Sequence, residues 1–326
     1  MTGDTSIGPQ KIHTKNTPRI GGIAIYITLV ITLIIFNFIN HDPKHHILND
    51  LSSIIIISLP AIIVGLAEDL YKDISIFGRF SASIFVGIIA YFYEVNLSNS
   101  NIKIIDDLLN SYNLFPLLMI TFFAGSINSI NLIDGVNGLA GLTSIVILIT
   151  LSILALENSD YEKYYFILLI IGAILGFIII NWFTGCIFLG DSGAYLLGTI
   201  LAFVTCKVLQ NDDLSMFNIL TLFSYPIWEI SNSIIRRLYN NKKIIVADNK
   251  HLHSLAHIII TKIFKSRDSL FQNSLTTLFL LPFIIVGPIT TLFLFKDPKL
   301  LVFSFIIICI FTSIVYSALS NRLRLD

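Results

Sequence analysis

The chain contains 326 residues, of which 55% are hydrophobic and only 13% are charged, and its formal net charge is zero. Several uninterrupted apolar runs approach about twenty residues, the length that crosses a bilayer, which excludes a soluble globular domain. The three cysteines, Cys186, Cys206 and Cys309, show no paired spacing, so neither a disulfide framework nor a structural zinc site is indicated. No nucleic-acid partner is expected.

Ten predicted membrane spans make the expected fold an all-α, polytopic membrane helical bundle. In chain order they cover residues 20–39, 50–67, 77–94, 114–133, 138–156, 164–182, 188–208, 216–235, 275–295 and 300–319. We expect one integral-membrane domain over residues 1–326. The polar residues before the first span contain no apolar h-region, so no cleavable signal peptide is predicted.

An even number of spans places both termini on one side, and the positive-inside rule makes that side cytoplasmic. In this membrane topology, fifteen of the 21 basic residues are cytoplasmic. The longest loop, residues 236–274, is then a basic cytoplasmic loop able to touch acidic head groups, so membrane lipids are expected partners. In the sixth span, Gly172 and Gly176 have the GxxxG spacing, which predicts close packing against another helix.

Five polar clusters interrupt the apolar sequence, and the predicted membrane topology places all of them on the cytoplasmic side. They occupy residues 15–22, 68–69, 128–138, 190–193 and 251–253. Polar and acidic groups at membrane depth are costly, so they tend to be kept for function. Their convergence predicts a cytoplasm-facing active site at the membrane surface.

Two adjacent carboxylates, Glu68 and Asp69, end the second span. Because like charges repel, the pair requires a nearby cation or a proton. The alternative interpretation is a solvated inner loop, since Lys72 and Arg79 follow. The sequence leaves both interpretations open.

An amide-rich stretch ends the fourth span, where Asn128, Asn131, Asp134 and Asn137 recur every three residues. On a helix that runs into a turn, this spacing aligns the four side chains along one stripe. Their oxygen atoms suit Mg²⁺ and the edges of a nucleotide. Hydrogen bonding between helices is the alternative, but four polar residues at one helix end exceed what packing needs.

Asp191 opens the seventh span, within Gly190-Asp191-Ser192-Gly193. Asp191 or Ser192 could cap the helix locally, or the Asp191 carboxylate could share Mg²⁺ with a phosphate that the helix N-terminus attracts. Beside the asparagine stretch, we favour the metal ligand.

Three histidines, His251, His253 and His257, lie in the basic loop, where they could bind zinc, contact phosphate or be solvated. Glu229 lies about two turns before the end of the eighth span, and an acid at that depth is expected to face the protein interior or a wet cavity. We assign it either a structural role or support of the site. The clusters together suit a Mg²⁺-dependent reaction between a soluble phosphorylated compound and a membrane lipid.

Four strings resemble, in order, the motifs of the polyprenyl-phosphate N-acetylhexosamine-1-phosphate transferases, glycosyltransferase family 4. They are Lys-Asn-Thr-Pro-Arg-Ile-Gly-Gly from Lys15, Asn-x-x-Asn-x-x-Asp-Gly-x-Asn-Gly from Asn128, Phe-Leu-Gly-Asp-Ser-Gly-Ala-Tyr from Phe188, and His-Leu-His from His251. Glu68 stands where the family often has aspartate, which resembles the O-antigen and capsule branch, and Ser254 stands where many members have another histidine. The family's usual first span, ahead of Lys15, is expected to be absent.

The resemblance implies a reaction in the bacterial cytoplasmic (inner) membrane that starts a cell-surface glycan. A UDP-linked N-acetylamino sugar, such as UDP-GlcNAc, would give its sugar 1-phosphate to undecaprenyl phosphate and release UMP. The cofactor would be Mg²⁺, with Mn²⁺ as a substitute, and a homodimer is one expected assembly.

The resemblance also implies roles for the motif residues. Asp191 and Asn131 would be the metal ligands, Asn137 would contact the uracil, and His251 and His253 would contact the donor's diphosphate or sugar. Asp69, with Glu68 beside it, would bind or activate the acceptor phosphate, and Lys15 would help to hold that phosphate. Asn128 would be one of the substrate-binding residues. Asp134 would have a supporting catalytic role close to the metal.

Two alternative functions compete with this interpretation. Within the same family, a phospho-MurNAc-pentapeptide transferase is disfavoured by the Glu68-Asp69 pair, by Thr-Pro-Arg in place of Thr-Pro-Thr, and by the single His-x-His. From another class, a secondary transporter or lipid flippase would place its polar groups at mid-membrane on broken helices. The clusters gather at cytoplasmic helix ends instead, which favours the enzyme.

Overall fold

The structure is a computed structural model that describes residues 17–39, 46–210, 214–239 and 250–325. Thirteen α-helices account for most of these residues. They are α1 (Gly21–Ile39), α2 (His46–Tyr71), α3 (Ile76–Phe92), α4 (Lys103–Ser111), α5 (Phe115–Ile133), α6 (Leu139–Glu157), α7 (Tyr161–Thr184), α8 (Gly190–Leu209), α9 (Asn218–Leu222), α10 (Ser224–Tyr239), α11 (Leu252–Ile263), α12 (Ser269–Leu294) and α13 (Pro298–Leu325).

Nine of the ten predicted spans each coincide with a single helix, which confirms the polytopic helical membrane bundle. Within the described ranges, eight helices are long and apolar enough to cross a membrane: α1, α2, α5, α6, α7, α8, α12 and α13. Helix α3 has only 17 residues. The predicted span 216–235 is not one helix, because it divides at Phe223 into α9 and α10. Pro226 lacks the N–H that would bond to the Leu222 carbonyl, so it is accommodated in the first turn of a new helix.

Helix α8 forms the centre of the bundle and is buried along almost its entire length. It packs against α1, α2, α5 and α6. Two glycines allow its N-terminal end to be approached closely, because a Cβ on Gly22 of α1 would overlap the backbone of Gly193, and a Cβ on Gly65 of α2 would overlap that of Ser192. The start of α8 is therefore enclosed by two neighbouring helices.

The residues before α1 pair with those before α8. Arg19 and Phe188 form an isolated parallel bridge. The Phe188 N–H donates to the Pro18 carbonyl at 2.9 Å, and the Gly21 N–H donates to the Phe188 carbonyl at 2.9 Å. This pairing holds the first turns of α1 and α8 side by side.

The predicted packing role of the GxxxG spacing in α7 is wrong. Among the described residues, no atom outside α7 lies within 4 Å of a Cβ built on Gly172 or Gly176. These glycines instead line an apolar groove of about 240 Å³, whose other wall includes Ile25 and Thr28 of α1. Small residues permit a close helix approach, but the facing surface of α1 does not close this gap.

Candidate active site

The carboxylate of Asp69, near the end of α2, binds the first turn of α8. It accepts hydrogen bonds from the N–H groups of Asp191 and Ser192, each at 3.0 Å, and from the Ser192 hydroxyl at 2.9 Å. The first N–H groups of a helix have no partner within the helix, and the helix dipole favours a negative charge there. Asp69 is only 1% exposed, so it acts as a buried cap supplied from another helix.

Gly190 makes room for this cap. Its backbone has a left-handed conformation, with φ of 75°, and a Cβ at this position would lie 2.6 Å from an Asp69 carboxylate oxygen. No side-chain hydrogen bond from within the segment caps α8. The local-cap interpretation of Asp191 is therefore wrong, and its carboxylate is available for other contacts.

Two arginines lie beside the carboxylates. Arg79 Nη1 on α3 is 3.3 Å from Glu68 Oε1 and 3.6 Å from Asp191 Oδ2, and Arg19 Nη1 is 3.8 Å from Asp69 Oδ1. Glu68 also accepts a 2.9 Å hydrogen bond from the Ile74 N–H. The solvated-loop interpretation of Glu68-Asp69 is thus wrong, because Asp69 is buried and cations adjoin both acids.

Asp134 joins the same electrostatic cluster from the end of α5. Burial, the negative charge of Asp191 and, more weakly, that of Asp69 raise the pKa of Asp134 to about 7, while Arg19 opposes the shift. Like charges can share a half-buried site only with a compensating proton or cation. The cluster of Asp69, Asp134 and Asp191 is accordingly suited to attract a divalent cation.

The donor set fits Mg²⁺ better than zinc. The described residues contain no group of three or more histidine, cysteine, aspartate or glutamate side chains arranged to hold a metal. Mg²⁺ does not require such a cage, because it is commonly bound by one or two carboxylates together with waters and substrate phosphates. Asp191, with the hard oxygens of Asp134 and Asn131 on the neighbouring helix end, provides donors of that type.

The two flanking asparagines of the amide-rich stretch have different surroundings. Asn137 is 4% exposed, its N–H donates to Asn273 Oδ1 at 2.6 Å, and its carbonyl accepts from Thr277 Oγ1 at 2.7 Å. Its side-chain Nδ2 is buried without a hydrogen-bond partner among the described residues. Asn128 instead donates from Nδ2 to Ser83 Oγ at 2.9 Å and to the Ala124 carbonyl at 2.8 Å, which joins α5 to α3.

His251 and His253 of the basic loop are buried, so the solvated interpretation is wrong for these two histidines. Their rings stack in parallel, with centroids 5.3 Å apart and an interplanar angle of 2°. His253 Nε2 lies against Gly135, where an added Cβ would overlap it. This contact connects the histidines to the Asp134–Asn137 turn, whereas His257 Nδ1 lies 3.1 Å from Thr276 Oγ1 on α12.

The structure thus brings together most of the predicted site. Glu68, Asp69, Asp134 and Asp191 form one cluster, and His253 joins it through Gly135, whereas Asn128 lies in a helix contact. Lys15 and residues 240–249 of the basic loop lie outside the described residues.

The roles of Arg79 and Ser192 as partners of these acids were not predicted. The sequence feature that could have predicted the role of Arg79 is the short turn of residues 72–75, which places the start of α3 beside the end of α2.

Comparison with known proteins gives a consistent picture. The family model described as glycosyl transferase family 4 matches residues 51–209, which contain the acids and asparagines of the site but not the histidines. A probable undecaprenyl-phosphate N-acetylglucosaminyl 1-phosphate transferase of Bacillus subtilis is 26% identical over 75% of this chain and 66% of its own length. An undecaprenyl-phosphate alpha-N-acetylglucosaminyl 1-phosphate transferase of Thermotoga maritima is 26% identical over 83% of this chain and 77% of its own length.

A phospho-N-acetylmuramoyl-pentapeptide-transferase of Streptococcus thermophilus is also similar, with 28% identity over 61% of this chain and 63% of its own length. The chain therefore spans slightly less than two thirds of the Bacillus and Streptococcus relatives.

Proposed function

The chain belongs to glycosyl transferase family 4, and we propose that it transfers an N-acetylamino-sugar 1-phosphate from a UDP-sugar to undecaprenyl phosphate, releasing UMP. The observation that carries the proposal is the cluster of Asp69, Asp134 and Asp191 with Arg19 and Arg79 at one end of the bundle. Such a cluster can gather two phosphorylated substrates, one soluble and one anchored in the membrane. The names of the Bacillus and Thermotoga relatives support the same reaction.

The phosphates of both substrates are anionic, so their approach requires positive charge in a site that already holds several acids. Mg²⁺, held by Asp191 with Asn131 and Asp134 beside it, supplies charge neutralisation for the donor diphosphate when bound, and Mn²⁺ is the substitute cation. Arg79 contacts both Glu68 and Asp191, so it is placed to receive a phosphate oxygen when these contacts loosen. Arg19 is placed similarly beside Asp69.

The contacts of Asp69 and Asp134 support different roles for these two acids. The Asp69 carboxylate is engaged by three hydrogen bonds from α8, so its contribution is to fix the position of Asp191. In the absence of a cation, burial and the Asp191 carboxylate raise the pKa of Asp134 to about 7. A cation beside Asp134 would favour its ionised form, which can accept a proton. We therefore assign activation of the acceptor phosphate to Asp134 and positioning to Asp69.

The donor's uridine is assigned to Asn137. A buried amide N–H without a partner costs free energy, and a uracil carbonyl would satisfy it. His251 and His253 would contact the diphosphate or sugar, and Lys15 would help to hold the acceptor phosphate. Asn128 would support substrate binding through its hydrogen bond between α5 and α3 rather than through direct contact with a substrate.

The reaction places the site on the cytoplasmic side of a bacterial cytoplasmic membrane, where UDP-sugars are made, with both termini on that side. The single-domain organisation and a homodimer belong to the same proposal.

The second candidate within the family is a phospho-MurNAc-pentapeptide transferase, which the Streptococcus relative supports. The Glu68-Asp69 pair and the single His-x-His favour the first candidate. A transporter or flippase is disfavoured because the acids lie at helix ends.

The test is UMP release by the purified protein with undecaprenyl phosphate, Mg²⁺ and a panel of UDP-N-acetyl sugars that includes UDP-MurNAc-pentapeptide. We expect release with one non-muramyl sugar and loss of release on chelation. Release only with the pentapeptide donor would select the second candidate, and no release with any donor would overturn the proposal.

A further inference from the structure

Glu229 of α10 is a fully buried carboxylate, with 0% exposure, that faces the His251–His253 segment. Its Oε1 accepts hydrogen bonds from the Leu252 N–H at 3.0 Å and from the Tyr225 hydroxyl at 3.3 Å. Its Oε2 lies 3.3 Å from His251 Nδ1. His253 Nδ1 lies 3.5 Å from Oε1 but makes no hydrogen bond to Glu229 or to any other described residue.

An ionised carboxylate can only accept hydrogen bonds, so a ring nitrogen bonded to it must carry the proton. Both Nδ1 atoms face the same carboxylate, and the two rings are parallel within 2°. The two Nε2 atoms must therefore point away from Glu229 on the same side. For His253 the neighbour on that side is Gly135, in the turn between Asp134 and Asn137.

This arrangement exceeds what attaching α11 requires. Leu252, Leu255, Ala256 and Ile260 already supply α11 with a buried apolar face. Burying a carboxylate is costly unless its hydrogen bonds are satisfied, so an acid at this depth indicates a function for the groups it binds.

We propose that Glu229 is a positioning residue for the donor: it holds the Nδ1 side of His251 and His253 so that both Nε2 atoms face the sugar-diphosphate part of the UDP-sugar. This inference rests on the proposed function for the identity of the ligand. The carboxylate also provides a counter-charge for a ring that takes a second proton on Nε2 and donates it to phosphate. Glu229 itself does not touch the donor in this arrangement.

The first experiment compares the wild-type protein with Glu229→Gln and Glu229→Asp, using UDP-GlcNAc and UMP as probes in equilibrium binding. UMP lacks the β-phosphate and the sugar, so it does not report on the histidine contacts. We expect Glu229→Gln to weaken UDP-GlcNAc about tenfold, as for loss of one charge-assisted contact, and to change UMP binding less than about twofold. Glu229→Asp keeps the charge and is expected to recover part of the loss.

His257→Gln is the matched control, because it alters the third histidine of the segment, which contacts Thr276 rather than Glu229. It is expected to leave the binding of both probes unchanged. Equal weakening of UDP-GlcNAc and UMP by Glu229→Gln would overturn the proposal, since that result indicates general damage to the fold.

A second measurement does not depend on activity. The protein is labelled with ¹⁵N-histidine, and its ring nitrogens are observed by NMR above about pH 8, where an unperturbed histidine is neutral. The variants His251→Asn and His253→Asn assign the signals to these two residues. We expect His251 to carry its proton on Nδ1 in the wild type and on Nε2 in Glu229→Gln, whose amide donates to Nδ1 instead. An unchanged tautomer would overturn the inference. A wild-type protein with the expected tautomer that binds neither probe would instead overturn the proposed function.

Discussion

The Ser192 hydroxyl donates a 2.9 Å hydrogen bond to Asp69 Oδ2, across 123 residues of sequence, and thereby joins the end of α2 to the start of α8. The same carboxylate also accepts the Asp191 N–H, so the position of the candidate metal ligand depends on an acid of another helix. Asp69 is therefore central to the site without being free to perform the chemistry. We therefore expect Asp69 to matter for stability as well as for the proposed function.

Replacing Asp69 by asparagine is expected to destabilise the protein as well as inactivate it. The amide offers one acceptor oxygen and turns an N–H₂ group towards the N–H groups of α8, which leaves donors unpaired at a cost of about 1–3 kcal/mol. The measurement is the thermal unfolding midpoint in detergent. Asp73→Asn, an exposed acid in the next turn, is the control and should behave as wild type. Equal midpoints for Asp69→Asn and wild type would show that the cap is not formed.

Gly135→Ala is expected to raise the KM for the UDP-sugar about tenfold, because the new methyl group displaces the His253 ring from the turn. Gly125→Ala is a closely matched control, since a Cβ at Gly125 has no neighbour within 4 Å. Steady-state kinetics at varied UDP-sugar concentration provide the readout. If both alanine variants have the wild-type KM, His253 does not act from its position beside Gly135.

Two asparagines of the same stretch should respond differently to alanine. Asn137→Ala is expected to weaken UMP binding about tenfold, because it removes the unpartnered amide assigned to the uracil. Asn128→Ala removes the bond to Ser83 on α3, so it should lower the unfolding midpoint and leave UMP affinity unchanged. Titration calorimetry with UMP distinguishes the two variants. A weaker effect on UMP binding at Asn137 than at Asn128 would reverse the two assignments.

The raised pKa of Asp134 predicts a dependence of stability on pH. The folded-state pKa of about 7 lies above the ordinary value of 3.8, so between these values the folded protein binds more protons than the unfolded chain. Stability should therefore fall as the pH rises from about 4 towards 7, when divalent cations are chelated. Thermal midpoints measured in EDTA across this range test the expectation.

Asp134→Asn serves as the control for that series, because an amide does not titrate. Its midpoint should fall less steeply with pH than that of the wild type. Adding Mg²⁺ at about pH 8 should restore the wild-type midpoint more than that of the variant, since a cation favours the ionised carboxylate. Parallel pH profiles for the two proteins would remove Asp134 from the charge cluster.

The sequence predicted the helices well because span length and hydropathy are local properties. Residues 216–235 show the limit of that information: the run is apolar enough to be predicted as one span, but Pro226 divides it, and hydropathy does not register a missing N–H. The prediction of close packing from the GxxxG spacing of α7 was wrong for a related reason. The spacing permits close packing, but only the facing helix decides whether such packing occurs.

The site was predicted as a set of residues rather than as an arrangement. Motif order and membrane side brought the acids, asparagines and histidines together, but the contact between Asp69 and Ser192 and the contact between Glu229 and His251 join different helices. Neither follows from periodicity. Asp191 resembled a local helix cap because the cap that α8 uses is distant in sequence.

The central claim, transfer of a phosphate together with its sugar, is tested most directly by UDP-GlcNAc carrying ³²P at the β-phosphorus, followed by the other donors of the panel. With purified protein and undecaprenyl phosphate, we expect the label in the lipid product and unlabelled UMP in solution. Asp191→Asn should reduce this transfer by at least about 100-fold, whereas Asp107→Asn, exposed on α4, should retain it. Label remaining in UDP while the sugar moves to lipid, or no lipid product with any donor, would contradict the account.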